Sequence, residues 1–297
     1  MLNNLRMPLY FCLSGLFFKT YTCFMDFLIR KVNKLAIPFF FFCLFPRGIL
    51  ALFDEEKLHS FLFWRDLFLV PDGYPIWFLR CLFITYLFYY LFEISTKNLK
   101  MHYRWLVLLV LTTCCYYLNN RIHHYINDTS NYIIRYSCYQ FQTMTSIMML
   151  PLFYICQELR CKGFLNKNYK KQYILSWMIV FVILWYFFRS DNVGLLWCSF
   201  GNNYFKFYLS ALSGIGFLWC ICVLLKKIPI ISYLGRYSLI VLGTHMPMLH
   251  LFLTTFKCTP IQSTFFVIFI SLPIIWLMKK YFPYVTAQKD LLHYEKK

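Results

Sequence analysis

The sequence predicts an all-α fold, a polytopic transmembrane helix bundle of about nine spans, on three observations. Of 297 residues, 60% are hydrophobic and only 14% charged, and the mean hydropathy is +0.54. A soluble globular chain carries about 25% charged and about 45–50% apolar residues. Apolar runs recur at lengths close to the roughly 20 residues that a bilayer-crossing helix needs. These runs do not alternate: Ile37-Pro38-Phe39-Phe40-Phe41-Phe42 has no period of two, whereas a membrane β-strand alternates over about 10 residues. The same numbers exclude a disordered, fibrous or disulfide-scaffold chain.

The expected spans follow in order. The first, residues 7–23, is short and interrupted by Pro8 and Gly15. The others cover 35–53, 75–95, 105–118, 139–159, 172–188, 204–225, 236–256 and 262–281. Several end on Gly, Pro or a Lys/Arg cluster, the residues that stop helices. The chain therefore reads as a single transmembrane domain over residues 1–297.

Charge then orients the spans. The formal charge is +18, and the cations sit in short loops, which argues against a nucleic-acid partner and for the positive-inside rule. Loops 19–34, 97–104, 160–171, 226–236 and 279–297 hold 20 Lys and Arg. The opposite loops hold nine and also carry Asp54-Glu55-Glu56, while Arg80 lies within a span. The richer side is read as cytoplasmic, placing the C-terminus inside a bacterial cytoplasmic membrane and residue 1 outside it. The opening Met1-Leu2-Asn3-Asn4-Leu5-Arg6 lacks the pattern of a cleaved leader. An outward start with nine spans leads us to expect a ten-span parent whose first helix precedes Met1.

The 13 cysteines include no CxxC pair and no zinc spacing, so no metal is expected. Cys114-Cys115 and Cys220-x-Cys222 read as packing or lipid-facing residues, and structural disulfides are not indicated. His123 and His124 fall in a polar outer loop and read as solvated surface, and the sequon Asn127-Asp128-Thr129 carries no weight in a bacterial-looking chain.

Ionisable groups inside apolar spans are costly and mark functional candidates. Arg80, about a turn into its span, cannot shed its proton. It is either a substrate or transition-state clamp, or a structural ion pair or snorkelling arginine. Trp77 beside it could stack on a sugar ring or belong to the interfacial aromatic belt. His245, two and a half turns beyond Arg236, could act as a base or bridge two helices; His250 lies nearer the outer end. The cations of Arg30-Lys31-Val32-Asn33-Lys34, just before Leu35-Ala36-Ile37-Pro38, could hold the phosphates of a nucleotide-like molecule or simply mark an inside loop. Residues 160–171 read as a plain topogenic loop.

Several segments together resemble the acyltransferase 3 family of membrane O-acyltransferases, particularly its fucose 4-O-acetylase-like branch. Arg6-Met7-Pro8-Leu9-Tyr10-Phe11-Cys12-Leu13-Ser14-Gly15 looks like the family's "HMPLFFFLSG", with Arg6 where His is common. Residues 27–38 look like its basic loop leading to "RLLIPY", and 75–80 like "PLWFLR". Residues 234–245 look like "IGRNSLIIYLTH", and Lys280-Tyr281-Phe282-Pro283-Tyr284 like a late "KKYFPYLTG". The resemblance implies a ten-helix bundle that takes acyl-CoA, usually acetyl-CoA, as co-substrate from the cytoplasm. The acyl group goes to a hydroxyl of a cell-surface or exported glycan, or of a lipid-linked sugar. Carried over residue by residue, it assigns Lys31 and Lys34 to the donor's phosphates, Trp77 and Arg80 to the substrate and His245 to catalysis. The family's first helix carries an arginine and a histidine needed for transfer, and Met1 falls after it; the expectation is a parent that is active and a chain as given that is impaired. The competing readings are a transporter or flippase of lipid-linked sugars, and a non-catalytic remnant within a glycan-synthesis complex. The oligomeric state is not legible.

Overall fold

The computed structural model describes residues 3–21, 23–51, 76–128, 142–164, 167, 169–189, 193–225, 228–254 and 256–293. In chain order the elements begin with α1 (Asn3–Leu16), α2 (Phe24–Lys31), a π-helical turn (Val32–Ala36), α3 (Ile37–Ala51), α4 (Trp77–Thr96) and α5 (Met101–Asp128). Next come α6 (Thr143–Met148), α7 (Leu150–Cys161), α8 (Lys171–Phe187) and a small antiparallel pair, β1 (Val193–Gly194) with β2 (Ser199–Phe200). The last are α9 (Tyr204–Leu225), α10 (Pro229–Arg236), α11 (Ser238–Thr254) and α12 (Pro260–Tyr281). Each of the nine expected spans contains helix. Among the described residues, α4, α9 and α12 are long and apolar enough to cross a bilayer by themselves, with α8 and residues Ser238–Leu249 shorter apolar helices.

Local chemistry explains the ends and breaks. Thr259 and Gln262 form a reciprocal capping box at the head of α12, with backbone-to-side-chain distances of 3.1 and 3.4 Å. Asn203 Oδ1 accepts from the amides of Phe205 and Lys206 to start α9. The expected span 139–159 breaks at Met149, because Pro151 has no N–H and its ring excludes the carbonyl four residues back. Pro38 acts alike: no α-helical donor reaches the Lys34 carbonyl, and the chain widens into the π turn, in which the Ile37 amide donates to Val32 O five residues back.

The chain divides into two compact units, Met1–Thr20 with Ile84–Lys227, and Tyr21–Phe83 with Ile228–Lys297. In the first unit α1 and α7 run antiparallel. A side chain at Gly15 would enter the Phe153 carbonyl, so the backbones approach as closely as small residues allow. One turn away a disulfide joins Cys12 to Cys156, with Cα atoms 5.5 Å apart. This corrects the sequence reading, in which no disulfide was indicated. The two cysteines are 144 residues apart, and only the helix crossing makes them neighbours. Gly214 of α9 receives Leu5, and Gly216 receives Phe181 of α8. Tyr89 lies between Glu93 and Gln157, tying α4 to α7.

The expected sidedness of the loops is consistent with contacts inside each unit. In the first, Arg160 donates to the carbonyls of Leu16 and Phe18, while Asn119 and His123 both reach the Cys198 carbonyl. His123 is thus half-buried rather than solvated surface, a correction that follows from α5 continuing as helix to Asp128. In the second, Asn33 and Lys34 bond the segment after α12, and the Lys279 ammonium lies over the Tyr237 ring. Cys115 and Cys220 are buried while Cys114 and Cys222 are exposed.

Candidate active site

All five residues singled out from the sequence, Lys31, Lys34, Trp77, Arg80 and His245, fall in the second unit. Arg80, near the start of α4, is within electrostatic reach of Cys43 on α3. One residue earlier on α3, Phe42 fills the space where a side chain on Gly243 of α11 would stand, and His245 follows two residues later. The heads of α4 and α11 therefore meet α3 at adjacent residues. Lys34 sits in the turn that leads into α3, eight residues before Phe42, or about 12 Å along a helix axis.

His245 is anchored through one ring nitrogen. Its Nδ1 is 2.9 Å from Val241 O and 3.0 Å from Leu242 O. Both carbonyls can only accept, so Nδ1 is the donor in these bonds. The Nδ1 bonds are to its own helix. His250 lies outside the described side chains. Trp77 is buried, at 4% exposure, with its ring edge-on to Phe78; it is not an outward-facing belt residue, because the head of α4 packs into the unit. Trp77 and Arg80, three residues apart, share a helix face.

The basic turn is organised differently from its appearance in sequence. The π turn sends Lys31 and Lys34 to different partners. Lys31 is half-buried with its ammonium 5.8 Å from the Tyr21 ring centre, and burial lowers its pKa to about 8. Lys34 is exposed and reaches the segment after α12: Nζ donates to Ala287 O at 2.8 Å and pairs with Asp290 at 3.0 Å. Arg30 is paired with Asp26 at 2.7 Å on the solvent side of α2.

Asn33, between the two lysines, was not singled out by the sequence reading. It is 2% exposed. Its Nδ2 donates to Leu292 O at 2.7 Å, and its Oδ1 accepts from the amides of Leu291 and Leu292 at 3.1 and 3.0 Å. The available signal was an uncharged amide set among cations at a membrane boundary. Asp290, the sole acidic residue between 279 and 293, was the other. At the far side, Tyr237, Ile240, Ile275 and Met278 form the core that binds α11 to α12, with Phe41 and Phe282 packed against it.

Among the described residues no His, Cys, Asp and Glu cluster is arranged to hold a metal ion. The arrangement offers an imidazole anchored through Nδ1 on α11, a guanidinium near the start of α4, and cations in the turn that leads into α3. Searches of curated proteins and of solved structures return no match. Residues 1–280 match the model of the acyltransferase 3 family, described as an acyltransferase domain, and the chain belongs to that family.

Proposed function

We propose that the chain is a membrane O-acyltransferase of the fucose 4-O-acetylase-like branch. It would move an acyl group, acetyl in the first instance, from acyl-CoA on the cytoplasmic side to a hydroxyl of a cell-surface or exported glycan, or of its lipid-linked precursor. The observation that carries the reading is His245, whose Nδ1 proton is held by Val241 and Leu242 so that Nε2 is available as a base.

The acceptor hydroxyl would give its proton to Nε2 as its oxygen forms the new C–O bond at the thioester carbonyl. Negative charge then develops on the carbonyl oxygen, and the Arg80 guanidinium is the fixed cation assigned to it. When the C–S bond breaks, the CoA thiolate takes the proton back from the imidazolium, returning His245 to its starting tautomer. Trp77, on the same face as Arg80, is assigned the acceptor's sugar ring. Lys31 and Lys34 are assigned the donor's phosphates, and the roughly 12 Å between Lys34 and Phe42 is a distance for the pantetheine arm to cover.

The test is transfer of labelled acetyl from acetyl-CoA in isolated membranes, with release of free CoA thiol measured in parallel. The assay compares membranes that contain the chain with membranes that lack it. His245→Gln should lower kcat by about a hundred-fold or more. Full activity in that variant would refute the assignment, and passage of unmodified lipid-linked sugar without thiol release would establish a carrier instead.

A further inference from the structure

The segment after α12 is built as a strap across the basic turn. Its internal turn is closed by the amides of Gln288 and Lys289, which both donate to Pro283 O at 2.9 and 3.0 Å. Thr286 is fully buried. Ala287 stands at φ 59°, in the left-handed region that a residue with a Cβ adopts only where its surroundings demand it. The strap is fastened by the three Asn33 bonds and by Lys34, which takes both the Ala287 carbonyl and the Asp290 carboxylate. The cation assigned above to a donor phosphate therefore already holds an anion of the chain's own.

We infer that Asp290 is the resident counter-anion of Lys34, exchanged for a donor phosphate when acyl-CoA arrives, and that Asn33 is the positioning residue that holds the strap ready to return. The inference rests on the donor-binding reading given under the proposed function. A carboxylate and a phosphate compete for one ammonium, so the strap sets how tightly the donor binds. Both partners are about half exposed, at 48% and 44% of their side chains. Exchange is therefore cheap and the effect modest, about two- to five-fold in affinity.

The experiment measures equilibrium binding of coenzyme A to the purified full chain, wild type against Asp290→Asn, Lys34→Gln and the double variant. A second readout is the rate of tryptic cleavage after Lys289, with and without saturating coenzyme A. Asp290→Asn should bind coenzyme A about two- to five-fold tighter, and the gain should vanish in the double variant. Coenzyme A should accelerate cleavage after Lys289 in the wild type, because a released strap is open to protease. Equal affinities of wild type and Asp290→Asn, or a cleavage rate indifferent to coenzyme A that is nonetheless bound, would overturn the counter-anion role and leave the acyltransferase reading standing. Absence of binding in every variant would remove the donor reading and this inference together.

Discussion

Asn33→Ala should release the strap without unfolding the chain. The side chain makes three hydrogen bonds, all to Leu291 and Leu292. A net hydrogen bond is worth about 0.5–1.5 kcal/mol, which bounds the loss at about 1.5–4.5 kcal/mol. Leu291 and Leu292 are 53% and 45% exposed, so their freed amides and carbonyl reach water and no buried orphan remains. That favours the lower half, about 1.5–3 kcal/mol, or roughly a ten- to hundred-fold rise in local opening. Amide exchange on peptides covering 286–293 reads it directly, with the thermal midpoint of the whole chain as control. Asn33→Asp keeps the acceptor but sets an anion against Leu292 O, so it should fall between wild type and alanine. Exchange within twofold of wild type in Asn33→Ala would refute the claim that this side chain holds the strap.

Two further outcomes follow from the site. Lys31 titrates near 8 instead of 10.5 because burial disfavours its charge; the KM for acyl-CoA should therefore rise as pH passes through about 8 and the cation is lost, and Lys31→Gln should abolish that limb. The unfolded chain binds the extra proton between about 8 and 10.5, so Lys31 also makes folding more favourable as pH rises through that window, and a rise in KM there is not a loss of folded protein. Gly243→Ala drives a methyl into the Phe42 ring, which is 1% exposed and has no room to turn aside; overpacking of this kind costs about 1–3 kcal/mol. The shift of α11 should lower kcat more than it changes KM, as kinetic comparison with wild type would read.

The positions of the helices and the grouping of the loops were legible because both come from one-dimensional quantities, hydropathy and charge. Loops 19–34 and 279–297 were placed on one side by counting cations, and Asn33 and Lys34 indeed bond residues 287–292. Loops 119–138 and 189–206 were placed together on the other, and Asn119 reaches Cys198. Pairings that exist only after helices cross were not legible. Cys12 and Cys156 share no sequence spacing, and their union depends on Gly15 letting α1 lie against Phe153. Likewise Asp290 is one of two acids in a basic tail, and its pairing with Lys34 exists only once the strap has turned. The anchoring of His245 was out of reach too, since it depends on which ring nitrogen faces the carbonyls of Val241 and Leu242.

The basic turn shows how one imino acid shapes this end of the site. Pro38 denies the Lys34 carbonyl its helical donor, and the backbone answers by bonding Ile37 to Val32 instead. An uninterrupted α-helix would set Lys31 and Lys34 on one face, three residues apart, as a simple pair of cations. The widened turn breaks that pairing: Lys31 goes to Tyr21 and burial, Lys34 to Asp290 and solvent, and Asn33 between them points into the strap. The two lysines consequently differ in charge stability and in partner although they are near neighbours in sequence. A donor phosphate meeting them would find one cation sensitive to pH near 8 and another already occupied by a carboxylate. Pro38→Ala, which restores the missing N–H, should therefore disturb both lysines at once through the backbone, although Pro38 is not one of the residues assigned to the donor.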